Sequence, residues 1–134
     1  MSAVTVVAVL VLGGGLAFVA LDAFSAVLTK KLGISYGWIV PVSVLAYLVF
    51  GYYGTRWTDL AIATASASGA AFIDGTLGSW VAWQLGVMPL PREQLKPLLG
   101  CTVPAGMVLM PLIAYVGGRW SLAAAAASAG AGIP

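Results

Sequence analysis

Histidine is absent from the sequence, and cysteine occurs once, at Cys101. The first absence removes the commonest metal, haem and chlorophyll ligand and the usual proton relay at neutral pH. The second rules out an internal disulfide and a cysteine metal cluster, and casts Cys101 as a small apolar core residue. Charge is scarce too: 7% of residues are Asp, Glu, Lys or Arg, against roughly 25% in soluble domains. A net charge of +2 spread over scattered basic residues excludes a nucleic-acid-binding stripe. No HExxH or GxSxG occurs, and a His-based triad is impossible. Glu93 and Asp59 sit in or next to predicted loops without a companion suited to acid–base work. The chain is therefore expected to be no enzyme and to need no cofactor or metal.

What remains is apolar: 61% of the 134 residues are hydrophobic. A soluble chain of this size could not hide that much apolar surface, so the solvent is expected to be mostly lipid. Residues Val4 to Leu12 resemble the apolar core of a signal peptide, but no Lys or Arg precedes them. The run also continues past Gly13-Gly14-Gly15 to Leu28, too long for that role, and predicts a retained membrane helix.

A bilayer core of roughly 30 Å needs about 20 mostly apolar residues per helix. Four stretches qualify, at about 4–28, 36–53, 60–85 and 98–116. The loop from Val87 to Pro97 holds Arg92, Glu93 and Lys96, and its three prolines argue against a continuous helix there. The tail at 122–134 is Ala- and Gly-rich. Pro41 and Pro104 are predicted in the first turns of their helices, and Pro111 falls mid-helix and should kink it, which membranes tolerate where neighbours re-satisfy the backbone.

Two of these stretches repeat each other. At a constant offset of 63 positions, Val40-Pro41 matches Val103-Pro104, Tyr52 matches Tyr115, and Gly54, Arg56 and Trp57 match Gly117, Arg119 and Trp120. The first and third helices echo each other through Ala17-Phe18-Val19 and Ala71-Phe72-Ile73, each followed closely by an aspartate. The expected fold is an all-α integral membrane protein whose four transmembrane helices form two duplicated hairpins, 1–58 and 59–121. Each repeat crosses the membrane twice, so the copies are parallel repeats about an axis along the membrane normal. In each Gly-x-Arg-Trp ending, the glycine suits a left-handed C-cap and the arginine suits the negative end of the helix dipole. The tryptophan suits the headgroup level, which makes Arg56, Trp57, Arg119 and Trp120 interfacial anchors. Tyr36, Trp38, Tyr52 and Tyr53 extend that aromatic belt.

Asp22 and Asp74 are the candidate ion or proton site. Each lies roughly 22–27 Å into its helix at 1.5 Å per residue. An ionised carboxylate at that depth costs at least ~2.5–3.5 kcal/mol, so such residues face the bundle interior and a partner. Ser25, Thr29, Thr76 or Lys30 are alternative partners that would make the acids merely structural. Gly75 and Gly78 after Asp74 could loosen the helix, and Gly75, Thr76, Trp80 and Trp83 are candidate lining residues. The small-residue runs Gly13 to Ala17 and Ala63 to Ala71 suit close helix packing.

The composition and the paired acids together suggest a small polytopic membrane protein, a cation- or proton-coupled channel or transporter. The alternative is a non-catalytic structural or assembly subunit of a larger membrane complex. Its partners are the lipid bilayer and either further copies of itself or that complex. Four basic residues near one end (Lys30, Lys31, Arg92, Lys96) against two near the other (Arg56, Arg119) place both termini outside the cytoplasm, in an inner or plasma membrane.

Overall fold

The computed structural model describes residues 2–87 and 91–131, without the side chains of Tyr36 and Ala131. Met88, Pro89 and Leu90 of the expected loop, and the last three tail positions, lie outside the described residues. No strand occurs among those described, and four helices account for most of them. Helix α1 spans Ala3–Leu32; Ser2 caps its start by accepting the Thr5 N–H, and Gly33 closes it in the left-handed region at φ 66°. A 3-10 turn at Tyr36–Trp38 leads into α2, Ile39–Trp57. Helix α3 spans Leu60–Gln84, begun by Asp59, whose carboxylate accepts the Ile62 N–H at 2.7 Å. Helix α4 spans Arg92–Ala131.

Three of these helices, α1, α3 and α4, are long and apolar enough to cross a membrane. The fourth expected span, α2, is not among them: its 19 residues include Pro41, four aromatics in its second half and Arg56.

The largest departure from expectation is α4. Its 40 residues run without interruption from Arg92, through Pro97, Pro104 and Pro111, and on past Gly117-Gly118-Arg119-Trp120. Neither Gly54 nor Gly117 is a left-handed cap; among the described residues the positive-φ positions are Gly33 and Gly86, at the Leu-Gly ends of α1 and α3. Gly54-Thr55-Arg56-Trp57 is the last turn of α2, as expected of a closing segment, whereas Gly117-Gly118-Arg119-Trp120 is helix interior and the tail up to Ala131 is a continuation of α4 rather than a separate segment. Pro104 is likewise interior. Cys101 is exposed on the outside of α4, not in the core.

The glycines are explained by packing instead. A side chain at Gly51 would overlap the Ala114 carbonyl, and one at Gly117 would overlap the Leu48 carbonyl. Glycine there lets the α2 and α4 backbones touch, the usual device where lipid supplies no hydrophobic drive between helices. Gly51 and Ala114 are themselves 63 positions apart. On the other side, Gly15 takes the Ile73 side chain and Gly69 takes Val11, which brings α1 against α3. Helices α2 and α3 each touch the other three, while α1 and α4 pack mainly on this pair from opposite sides.

Pro111 shows how the helix survives its prolines. Its missing N–H would have bonded the Met107 carbonyl, and the Ser68 hydroxyl of α3 donates to that carbonyl at 2.9 Å instead. Replacing Ser68 by Ala is expected to cost about 1–3 kcal/mol by orphaning the Met107 carbonyl. Thermal unfolding in detergent checks this, and Ser68→Thr should recover most of the loss.

Candidate functional site

The interior face of α1 carries Gly15, Phe18, Asp22, Ser25 and Thr29, spaced three or four residues apart so that they stack along one side. This puts Asp22 inside the bundle. Asp74 reaches the same place from α3 through a local change of helix. Residues Asp74–Gly78 form a π-helical turn. Such a turn adds a residue and leaves nearby carbonyls short of their usual N–H partners. Thr76 takes up that role, donating its hydroxyl to the carbonyls of Phe72 at 2.8 Å and Ile73 at 3.2 Å.

The two carboxyls meet over Gly78. A Cβ at Gly78 would lie 2.6 Å from Asp22 Oδ2 and 2.9 Å from Asp74 Oδ1, so only glycine leaves room for both. The two carboxyls thus face the same bare stretch of backbone. Asp74 Oδ1 is completely buried and receives no donor from the protein. Its other oxygen, Oδ2, accepts from the Tyr47 hydroxyl at 3.4 Å. Two acceptor oxygens facing each other, with no donor supplied by the surroundings, need a proton or a cation between them.

Tyr47 holds this arrangement from below. It is 0% exposed, and its ring stacks on Phe18 with centroids 4.2 Å apart and planes at 29°. Phe18, Tyr47, Ala67, Ala70, Ala71 and Ala114 make the bundle's apolar core. The pair thus sits directly on the core, between it and the end bearing Lys30 and Lys31. Lys30 itself points towards Gly86 rather than to Asp22.

The chain matches no family model, no curated protein and no solved structure. Its site is therefore read from geometry alone.

The expected lining residues separate into two places. Gly75 packs against Val103 of α4, and the Thr76 hydroxyl is occupied by the helix backbone. Trp80, half exposed, and Trp83 line a groove of 420 Å³ with Gln84, Arg92, Leu95, Lys96 and Leu99. An aromatic surface shared with two cations is a poor place for an organic cation, the ligand such a wall would otherwise suit. Among the expected anchors, Trp57 and Trp120 are exposed near the other end. Arg56 lies 5.9 Å from the Tyr52 ring centroid.

Sequence reasoning marked Gly78 only as a residue that could loosen the helix, and joined neither Tyr47 nor Phe18 to the acids. A tyrosine deep in an apolar helix is a usable signal, because its hydroxyl needs a buried partner. Which partner depends on how the helices pack. The geometry itself is testable through Gly78. Gly78→Ala should lower stability by about 1–3 kcal/mol through overpacking against the carboxyls. Part of that loss should vanish in an Asp22→Ala background, and a thermal-unfolding double-mutant cycle measures the coupling.

Proposed function

We propose that this is a small membrane transporter or channel in which protons or a small cation pass by way of the Asp22–Asp74 pair. The observation that carries this reading is the donor-free meeting of Asp22 and Asp74 Oδ1 in the interior of an apolar bundle. A buried acid pair is costly to hold, and a purely structural bundle would be better served by apolar residues of the same volume. The π turn at Asp74 supports the same reading, since such turns recur at functional sites.

In this reading all four helices cross the bilayer, α2 included, with Trp38 and Trp57 flanking it at the two interfaces. The two hairpins are duplicated units about an axis along the membrane normal. The approach of Gly51 to Ala114 supports this, because equivalent residues of parallel repeats meet at such an axis. The end bearing Lys30, Lys31, Arg92 and Lys96 faces the cytoplasm, and both termini lie on the other side.

The test is flux in liposomes loaded with a pH-sensitive dye, under an imposed potential. The wild type should acidify or alkalinise the lumen. Asp22→Asn and Asp74→Asn should each reduce flux by about 100-fold or more while leaving the thermal unfolding midpoint within a few degrees. Equal flux in all three proteins would sink the assignment.

A second reading has one observation in its favour. At 1.5 Å per residue α4 is about 60 Å long, twice a bilayer core. Its last turns, beyond Ser121, are exposed. Such an extension suits a non-catalytic subunit that docks on a larger membrane complex. That reading predicts no flux from the pure protein and a stoichiometric partner retained in mild detergent. A single homogeneous homo-oligomer counts against it.

A further inference from the structure

All four helices contribute to the surroundings of the aspartate pair. From α1 come Asp22 and, three and seven residues further along the same face, Ser25 and Thr29. From α2 comes the Tyr47 phenol, and from α3 come Asp74 and the bare backbone of Gly78. From α4 comes only the apolar Val103, set against Gly75. Among the described residues, the two aspartates and Tyr47 are the titratable groups acting on the pair.

This set suits a proton better than a metal ion. Hard cations take six or more oxygens, or keep several waters. Here two carboxyls meet, and the carbonyls of Phe72 and Ile73 at the π turn are already occupied by the Thr76 hydroxyl. A phenol donating into the pair from below also favours a hydrogen-bonded arrangement over a coordination shell.

Ser25 has no role in the site so far. It is 1% exposed, and its Oγ has no hydrogen-bond partner in the protein. A hydroxyl so buried calls for one. By helix spacing, the polar groups one turn away on the same face are Asp22 and Thr29. Thr29 is tied to the bundle's end, since its Oγ1 accepts the indole N–H of Trp38 at 2.7 Å. Accepting from Trp38 leaves the Thr29 O–H available to donate, one helical turn from Ser25 on the same face of α1. In the opposite direction the Phe18–Tyr47 stack and the alanine core close the interior.

We infer that Ser25 is the residue through which the Asp22–Asp74 pair exchanges a proton with the lysine-bearing end of the bundle. The inference deepens the reading of that pair as the functional site and rests on it. In one exchange the Asp22 carboxyl proton passes to Ser25 Oγ and the Ser25 hydroxyl proton passes on to Thr29 Oγ1. Each hop is relayed by a bridging water that takes one proton and gives up another, because Ser25 Oγ has no direct hydrogen-bond partner in the protein. Thr29 releases its hydroxyl proton to water at that end, the pair is left one proton poorer, and the reverse sequence reloads it. Ser25 and Thr29 end each exchange as neutral hydroxyls.

The test uses the full chain in lipid nanodiscs and infrared spectroscopy. The wild type should show a carboxylic-acid band that Asp22→Asn and Asp74→Asn each diminish, and that shifts when the buffer is changed to D2O. Ser25→Ala should slow that shift by about tenfold or more, and Ser25→Thr should stay within about twofold of the wild type. Because Ser25→Ala deletes a hydroxyl without a protein partner, its thermal unfolding should match the wild type. An unchanged exchange rate in Ser25→Ala would overturn the route. The absence of an aspartate-dependent acid band, or its loss on adding sodium ion, would overturn the proton as occupant. Intact exchange with no transmembrane flux would instead sink the transport reading and leave Ser25 in its place.

Discussion

Two carboxyl groups that meet inside an apolar bundle set the terms for everything around them. Asp74 Oδ1 is sealed from solvent with no donor, and the group opposite it is another acceptor. An apolar interior offers no water to relieve that contact, so the surroundings must fit it closely. Gly78 supplies the space, since any side chain there would strike both carboxyls. The π turn at Asp74–Gly78 offsets the helix that carries Asp74. Tyr47 supplies a hydroxyl on one side, and its ring stacks on Phe18 to close the core beneath. The glycine and the π turn are costly alone, and both fall where the pair needs space and offset.

The bundle that holds the pair is built on close backbone approach. Small residues let neighbouring backbones come within contact distance. Gly51 against Ala114 and Gly117 against Leu48 bring α2 and α4 into backbone contact. Ser68 then donates to the Met107 carbonyl that Pro111 leaves without an N–H. The same small polar residue that lets α3 and α4 approach thus also repairs α4. A stretch of alternating alanine and serine, bland as sequence, carries both roles.

The groove of Trp80, Trp83, Arg92 and Lys96 shows how packing redirects a reading made from one helix. Along α3, two tryptophans one turn apart and beyond an aspartate suggest an aromatic wall beside an acid. In the bundle α4 brings two cations to that surface, and the nearest charge changes sign. The acid that seemed to belong to the wall is turned inward to Asp22.

Composition and period alone determined the helical class and the positions of α1, α3 and the apolar part of α4. They also marked Asp22 and Asp74 as buried acids, because an apolar run has few ways to accommodate a charge. The repeat at 63 positions aligned segments that do come into contact. Only the tertiary structure decided that Gly117 is helix interior rather than a cap, since a glycine serves either purpose until a neighbouring helix rests on it. It alone decided that α4 continues through its prolines, because the Ser68 hydroxyl that satisfies Met107 comes from another helix. It alone joined Tyr47, Phe18 and Gly78 to the aspartates and left Ser25 buried beside them. Local spacing encodes which face of a helix is shared; it does not encode which face of another helix will meet it.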